Sequence, residues 1–139
     1  MVKYKQIYLK SLGYSLSDFI CCEVSGKPAS DLHHIVGRGR GGTDRIENLM
    51  ALTRELHIKL GDKQQYMFKL LITHRQFLED NGVKFDNKYF NELLKKYEDY
   101  IHIDKDIDYI DLIKNITNEN NSEYYDKIRE NGYNKALEH

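Results

Sequence analysis

The sequence contains no run of 18 apolar residues, which excludes a transmembrane helix of ordinary length. It has no charged stretch followed by a short apolar segment, so no secretory leader is expected. Cysteine is scarce: the only two, Cys21 and Cys22, are neighbours and cannot form an ordinary disulfide with each other. They fit a reducing, cytoplasmic setting, with Cys22 as a small buried residue. No internal repeat is visible. The acidic cluster Asp104, Asp106, Asp108 and Asp111 lacks the glycine and closing glutamate of an EF-hand loop, so it reads as solvated charge. The 11 tyrosines lack the spacing of a base-stacking platform and read as amphipathic packing residues.

What is present fits one domain, or a small core with an appendage, in 139 residues. The net charge of −1 hides an asymmetry. Residues 1–75 hold 12 Lys/Arg against 7 Asp/Glu, a balance of +5; residues 76–139 hold 9 against 15, a balance of −6. The basic half suits a polyanionic partner, and the acidic half reads as a solvated helical surface. Leu137-Glu138-His139 resembles the start of a vector-encoded tag and is set aside.

Local pattern predicts an α+β chain dominated by helix. Residues 4–9 suit a short helix or strand, and 15–18 a turn. Phe19 to Val24 is an apolar run of strand length, followed by the turn residues Ser25-Gly26-Lys27-Pro28. Asp31 to Val36 can return as the second strand of a hairpin. Leu49, Leu52, Leu56 and Leu60 are spaced for one helical face, with Thr53 as a possible cap. Lys63 to Leu78 carries an apolar stripe of period near 3.6, ended by Asp80-Asn81-Gly82. Asp86 or Asn87 can cap a helix over 88–101. Residues 115–122 read as a loop and 124–131 as a last short helix. His74, within the apolar stripe, and His102, at a helix end, read as structural.

Chemistry concentrates between Leu32 and Lys59. This segment holds His33-His34, a loop Gly37-Arg38-Gly39-Arg40-Gly41-Gly42, then Asn48 and His57. A neutral histidine can take a proton from water near pH 7, and a divalent cation can stabilise a scissile phosphate and its leaving oxygen. Adjacent residues on an extended segment point to opposite sides, so His33 and His34 can face different parts of one cleft. The loop glycines permit positive φ and a tight path. Arg38 and Arg40 are either solvated charges or forks for phosphate oxygens; phosphate contact is the reading favoured for at least one of them, with Arg45 and Lys59 as weaker candidates.

In order and spacing, His33-His34-Ile35, Asn48-Leu49 and His57 resemble the motif of the HNH (ββα-metal) nucleases, which include many small phage and prophage enzymes. The resemblance covers residues 20–63 or so. It implies a nuclease core over 1–63, with a β-hairpin, a long loop and a helix, and a helical extension over 64–136. It implies a metal-dependent endonuclease acting on DNA, most readily double-stranded. His34 is then the general base, Asn48 the residue that pins the loop and orients that base, and His33 and His57 the metal ligands. Products would carry 5′-phosphate and 3′-hydroxyl ends. Many members bind a structural zinc through two Cys-x-x-Cys pairs. Here those positions are Cys22, Ser25, Thr53 and Leu56, so no structural zinc is expected. A further histidine of some members falls at Gly61. That leaves two protein ligands, Asp62 being a weak third. Oxygen ligands from water and phosphate would complete a site suited to magnesium or manganese, with nickel or zinc as alternatives. The rival readings are an inactive nucleic-acid-binding module and a phage structural or partner protein.

Overall fold

The computed structural model describes residues 2–61 and 63–101. Asp62, His102, the acidic cluster at 104–111, the expected loop at 115–122, the expected helix at 124–131 and the tag-like end lie outside the described residues.

The described chain is α+β, with four helices and one two-stranded antiparallel sheet. Helix α1 (Lys3–Leu12) resolves the open choice at residues 4–9 in favour of helix, and buries Tyr8, Leu9 and Leu12. Strand β1 (Asp31–His34) pairs with β2 (Leu49–Leu52), with Asp31 opposite Leu52 and His34 opposite Leu49. Helix α2 (Arg54–Leu56) runs directly into a π-helical turn, His57–Gly61. Helices α3 (Gln64–Asp80) and α4 (Asn87–Lys96) follow. One buried cluster joins α1, β2, α3 and α4, so the helices after the sheet share its core.

Two expectations about strands are corrected. Phe19 to Val24 is not a strand; its turn at Ser25-Gly26 closes with only an isolated bridge, Cys21 to Pro28. The partner of β1 is Leu49–Leu52, the segment read as the start of a helix. All four of these residues are buried, so the strand is apolar throughout and shows no alternation. Its free edge is satisfied unusually: the Glu23 backbone N–H donates to the Ala51 carbonyl, and the Glu23 carboxylate accepts from the Ala51 N–H, both at 3.0 Å. The helix therefore begins only at Arg54, where the Thr53 hydroxyl accepts from the Leu56 N–H as expected of a cap.

Helix α3 buries Met67, Leu70, Leu71, His74, Phe77 and Leu78, matching the predicted stripe. Asp86 caps α4 by accepting from the Lys88 and Tyr89 N–H groups. That helix stops at Lys96 instead of reaching 101, and a 3-10 turn over Glu98–Tyr100 follows. No helix among the described residues is long and apolar enough to cross a membrane.

Candidate active site

Strand β1 sends its neighbouring histidines to different surroundings. His33 is buried, and its ring meets that of His57 with centroids 4.6 Å apart. His34, half-buried, faces the 35–48 loop, where its Nε2 lies 2.8 Å from Asp44 Oδ1. Its ring also meets Tyr4 of α1 edge-on at 4.9 Å. The alternation of an extended backbone accounts for the division.

His57 opens the π turn after α2, an irregularity that recurs at functional sites. Its Nδ1 lies 2.9 Å from Asp31 Oδ2, and Arg54 grips the same carboxylate through both Nε and Nη2. The Arg54 hydrogen bonds, joined by that of His57, hold the Asp31 carboxyl below its ordinary 3.8 despite the opposing effect of burial. An Asp behind an imidazole fixes ring and tautomer, the usual support for a metal-binding histidine. In the tautomer that donates to Asp31, Nε2 of His57 carries the lone pair.

Gly61 keeps this site open. A Cβ there would come within 2.5 Å of His57 Cδ2 and 3.1–3.2 Å of the His33 ring. A side chain at position 61 would therefore force one or both imidazoles out of this arrangement. Among the described residues no group of three or more His, Cys, Asp or Glu is arranged to hold a metal ion. The His33–His57 pair could supply at most two ligands, enough only for an ion that keeps most of its ligands as water or phosphate oxygens.

Asn48 is fully buried at the end of a 3-10 turn, Ile46–Asn48. Its Oδ1 accepts from the Val36 N–H at 2.8 Å, and its Nδ2 donates to the carbonyls of Val36 (3.0 Å) and Thr43 (2.9 Å). It therefore ties both ends of the glycine-arginine loop to the start of β2. Of the four loop glycines, only Gly41 takes positive φ. Gly42 is needed for another reason: a Cβ there would overlap the Val36 carbonyl.

The basic residues separate by surroundings. Arg38 is exposed, pairs with Asp44 at 2.8 Å and lies over the Tyr4 ring at 5.4 Å. Its hydrogen bonds, with that of His34, lower the Asp44 pKa. Arg40 and Lys59 are exposed. Arg45 is engaged in the fold: it bridges Glu47 and Asp86 and stacks on Tyr89 at 4.0 Å.

Asp31, Asp44 and Tyr4 were not singled out from sequence. Asp31 had a signal, since residues two apart on a strand share a face, which places it beside His33. Asp44 and Tyr4 had none, because a loop path and a helix docking bring them in. His74 is structural as expected: its Nδ1 lies 2.5 Å from Glu23 Oε1 and its Nε2 2.7 Å from the Ile46 carbonyl, all within the core.

Comparison of the chain with protein families, curated proteins and solved structures returned no match.

Proposed function

We propose that this chain is a metal-dependent endonuclease of the HNH kind, hydrolysing phosphodiester bonds in DNA. One observation carries the reading: His33 and His57, 24 positions apart, share a cradle, while His34 leaves the same strand toward a loop pinned by Asn48. The order strand, long loop, strand, helix supports the ββα assignment.

In this reading His34 accepts a proton from the attacking water. With Nε2–H donated to Asp44, Nδ1 is the receiving nitrogen, and the carboxylate lies against the cation that forms. The water oxygen forms a bond to phosphorus as the bond to the 3′-oxygen breaks. The leaving oxygen gains its proton from solvent, giving 5′-phosphate and 3′-hydroxyl ends. His33 and His57 would hold one divalent ion, magnesium or manganese by preference. When bound, that ion supplies positive charge for the phosphate and the leaving oxygen. Asn48 keeps the loop from moving relative to β1. Arg38, Arg40 and Lys59 offer cations to the phosphate backbone, and Arg45 holds the loop to α4.

The test is cleavage of supercoiled plasmid by metal-stripped protein, with magnesium, manganese, nickel or zinc restored, beside His34→Ala. Metal-dependent nicking or linearisation is expected, falling by about 10²–10⁴-fold in the variant. Cleavage at the wild-type rate in His34→Ala would remove the base assignment. No cleavage with any metal by folded protein would leave a nucleic-acid-binding module or a partner protein.

A further inference from the structure

A cleft of about 620 Å³ adjoins the candidate site. Its wall includes the apolar Ile20, Ala29, Leu32 and Ile58, and Lys5 and Arg54 bring positive charge to it. Asp31 and His57 belong to the same wall, so the cleft opens onto the side of the imidazole cradle. Tyr4 lines it too, and the Tyr4 ring touches His34. The cleft therefore includes one candidate metal ligand, His57, and is separated from the candidate base by the Tyr4 ring. Ile58 is 67% exposed and Val2, also in the wall, 54%, so the cleft keeps apolar surface open to solvent beside a polar site.

We infer that this cleft takes an unpaired nucleotide next to the scissile phosphate, its base against Leu32, Ile58 and Tyr4 and its backbone phosphate toward Lys5 and Arg54. The placement rests on the nuclease reading: His57 belongs both to the cradle and to this wall, so a nucleotide held here lies beside a phosphate at the cradle. The chemistry matches an apolar, flat base carried on an anionic backbone. A base stacked inside a duplex presents no free face to such a wall, so the preferred substrate is single-stranded, looped or locally opened DNA. Asp31, the one carboxylate in the wall among the described residues, is already gripped by Arg54 and hydrogen-bonded to His57, which reduces its repulsion of phosphate.

Two measurements on the full chain test this. In the first, methyl NMR signals of Ala29, Leu32 and Ile58 in metal-free protein are followed as tetrathymidylate, then a 12-base-pair duplex, is added. Shifts at all three residues, reached at lower concentration with tetrathymidylate, are expected. Shifts confined to residues outside the cleft, or none, would overturn the proposal. So would shifts that depend on protein concentration alone, which would assign the cleft to a second copy. In the second, Ile58→Glu places a like charge at the rim of an exposed position, and Ala29→Leu fills the wall. Each should lower cleavage of single-stranded oligonucleotide by roughly tenfold relative to duplex. An unchanged ratio with active enzyme removes the cleft proposal and leaves the nuclease standing. Methyl shifts without cleavage by any metal remove the nuclease and leave a nucleotide site.

Discussion

Asn48 uses all of its amide inside the protein, and its bonds tie both ends of the loop to the turn that leads into β2. Replacing it with aspartate keeps the acceptor toward the Val36 N–H but turns a carboxylate oxygen against two carbonyls. Each lost or reversed buried bond costs about 1–3 kcal/mol, so urea unfolding of Asn48→Asp should show a loss of that order or somewhat more, together with weakened cleavage. An unchanged midpoint would mean that the loop is held elsewhere. Asp31 invites a different substitution. Asp31→Asn retains size but removes the charge that faces His57, and manganese affinity by calorimetry should fall about 10–100-fold. Equal affinity would break the link between this carboxylate and the proposed ligand. These single positions also mark what was legible. His33, His34, Asn48 and His57 stand out because their order and spacing resemble the HNH motif. Asp44 is one acid in a polar loop, and only the path between Val36 and Asn48 brings it to His34.

At the scale of elements, β2 shows how a pattern can mislead. Leu49, Leu52, Leu56 and Leu60 are all buried, and their spacing imitates one face of a helix. The first two belong to a strand enclosed on both faces, where period two vanishes; the last two belong to the helical segment that follows Thr53. The hydrogen-bonding need of the strand's free edge decides between the forms, and Glu23 meets it from a distant turn. Helices α3 and α4 were legible because each presents a single apolar stripe with a turn or cap residue at a boundary. Glu23 also joins elements: its carboxylate accepts from Tyr8 of α1 at 2.7 Å and pairs with His74 of α3. A buried pair broken on one side strands the other charge, at about 3–5 kcal/mol. His74→Ala should therefore lower stability by that amount, measured by chemical denaturation. A loss below about 1 kcal/mol would show that Glu23 finds another partner or stays neutral.

The whole molecule should be more labile toward alkali than toward acid. Burial disfavours the His74 imidazolium, but the Glu23 carboxylate and the Ile46 carbonyl outweigh it and raise its pKa above 6.5. A pKa raised on folding gives stability that is complete below the unfolded value and is lost as pH climbs through the folded one. Tyr8, pushed well above 10.0 by burial and by Glu23, and Tyr14, pushed up to about 12 chiefly by burial, act in the same direction at higher pH. On the acid side Asp31, Asp44 and Asp86 are all lowered from 3.8 by hydrogen bonds. Their contributions persist above that value and are lost only as pH falls below it, and as partly exposed groups screened by water they contribute little. Urea midpoints at pH 5.5, 7.0 and 8.5 should fall as pH passes 6.5, because the unfolded chain gives up the His74 proton around that ordinary value while the fold still binds it. In His74→Phe, where the residue that titrates is gone, the slope over the same interval should flatten even though the protein is less stable throughout. A midpoint that rises with pH in the wild type would show that His74 is not held as the imidazolium in the fold.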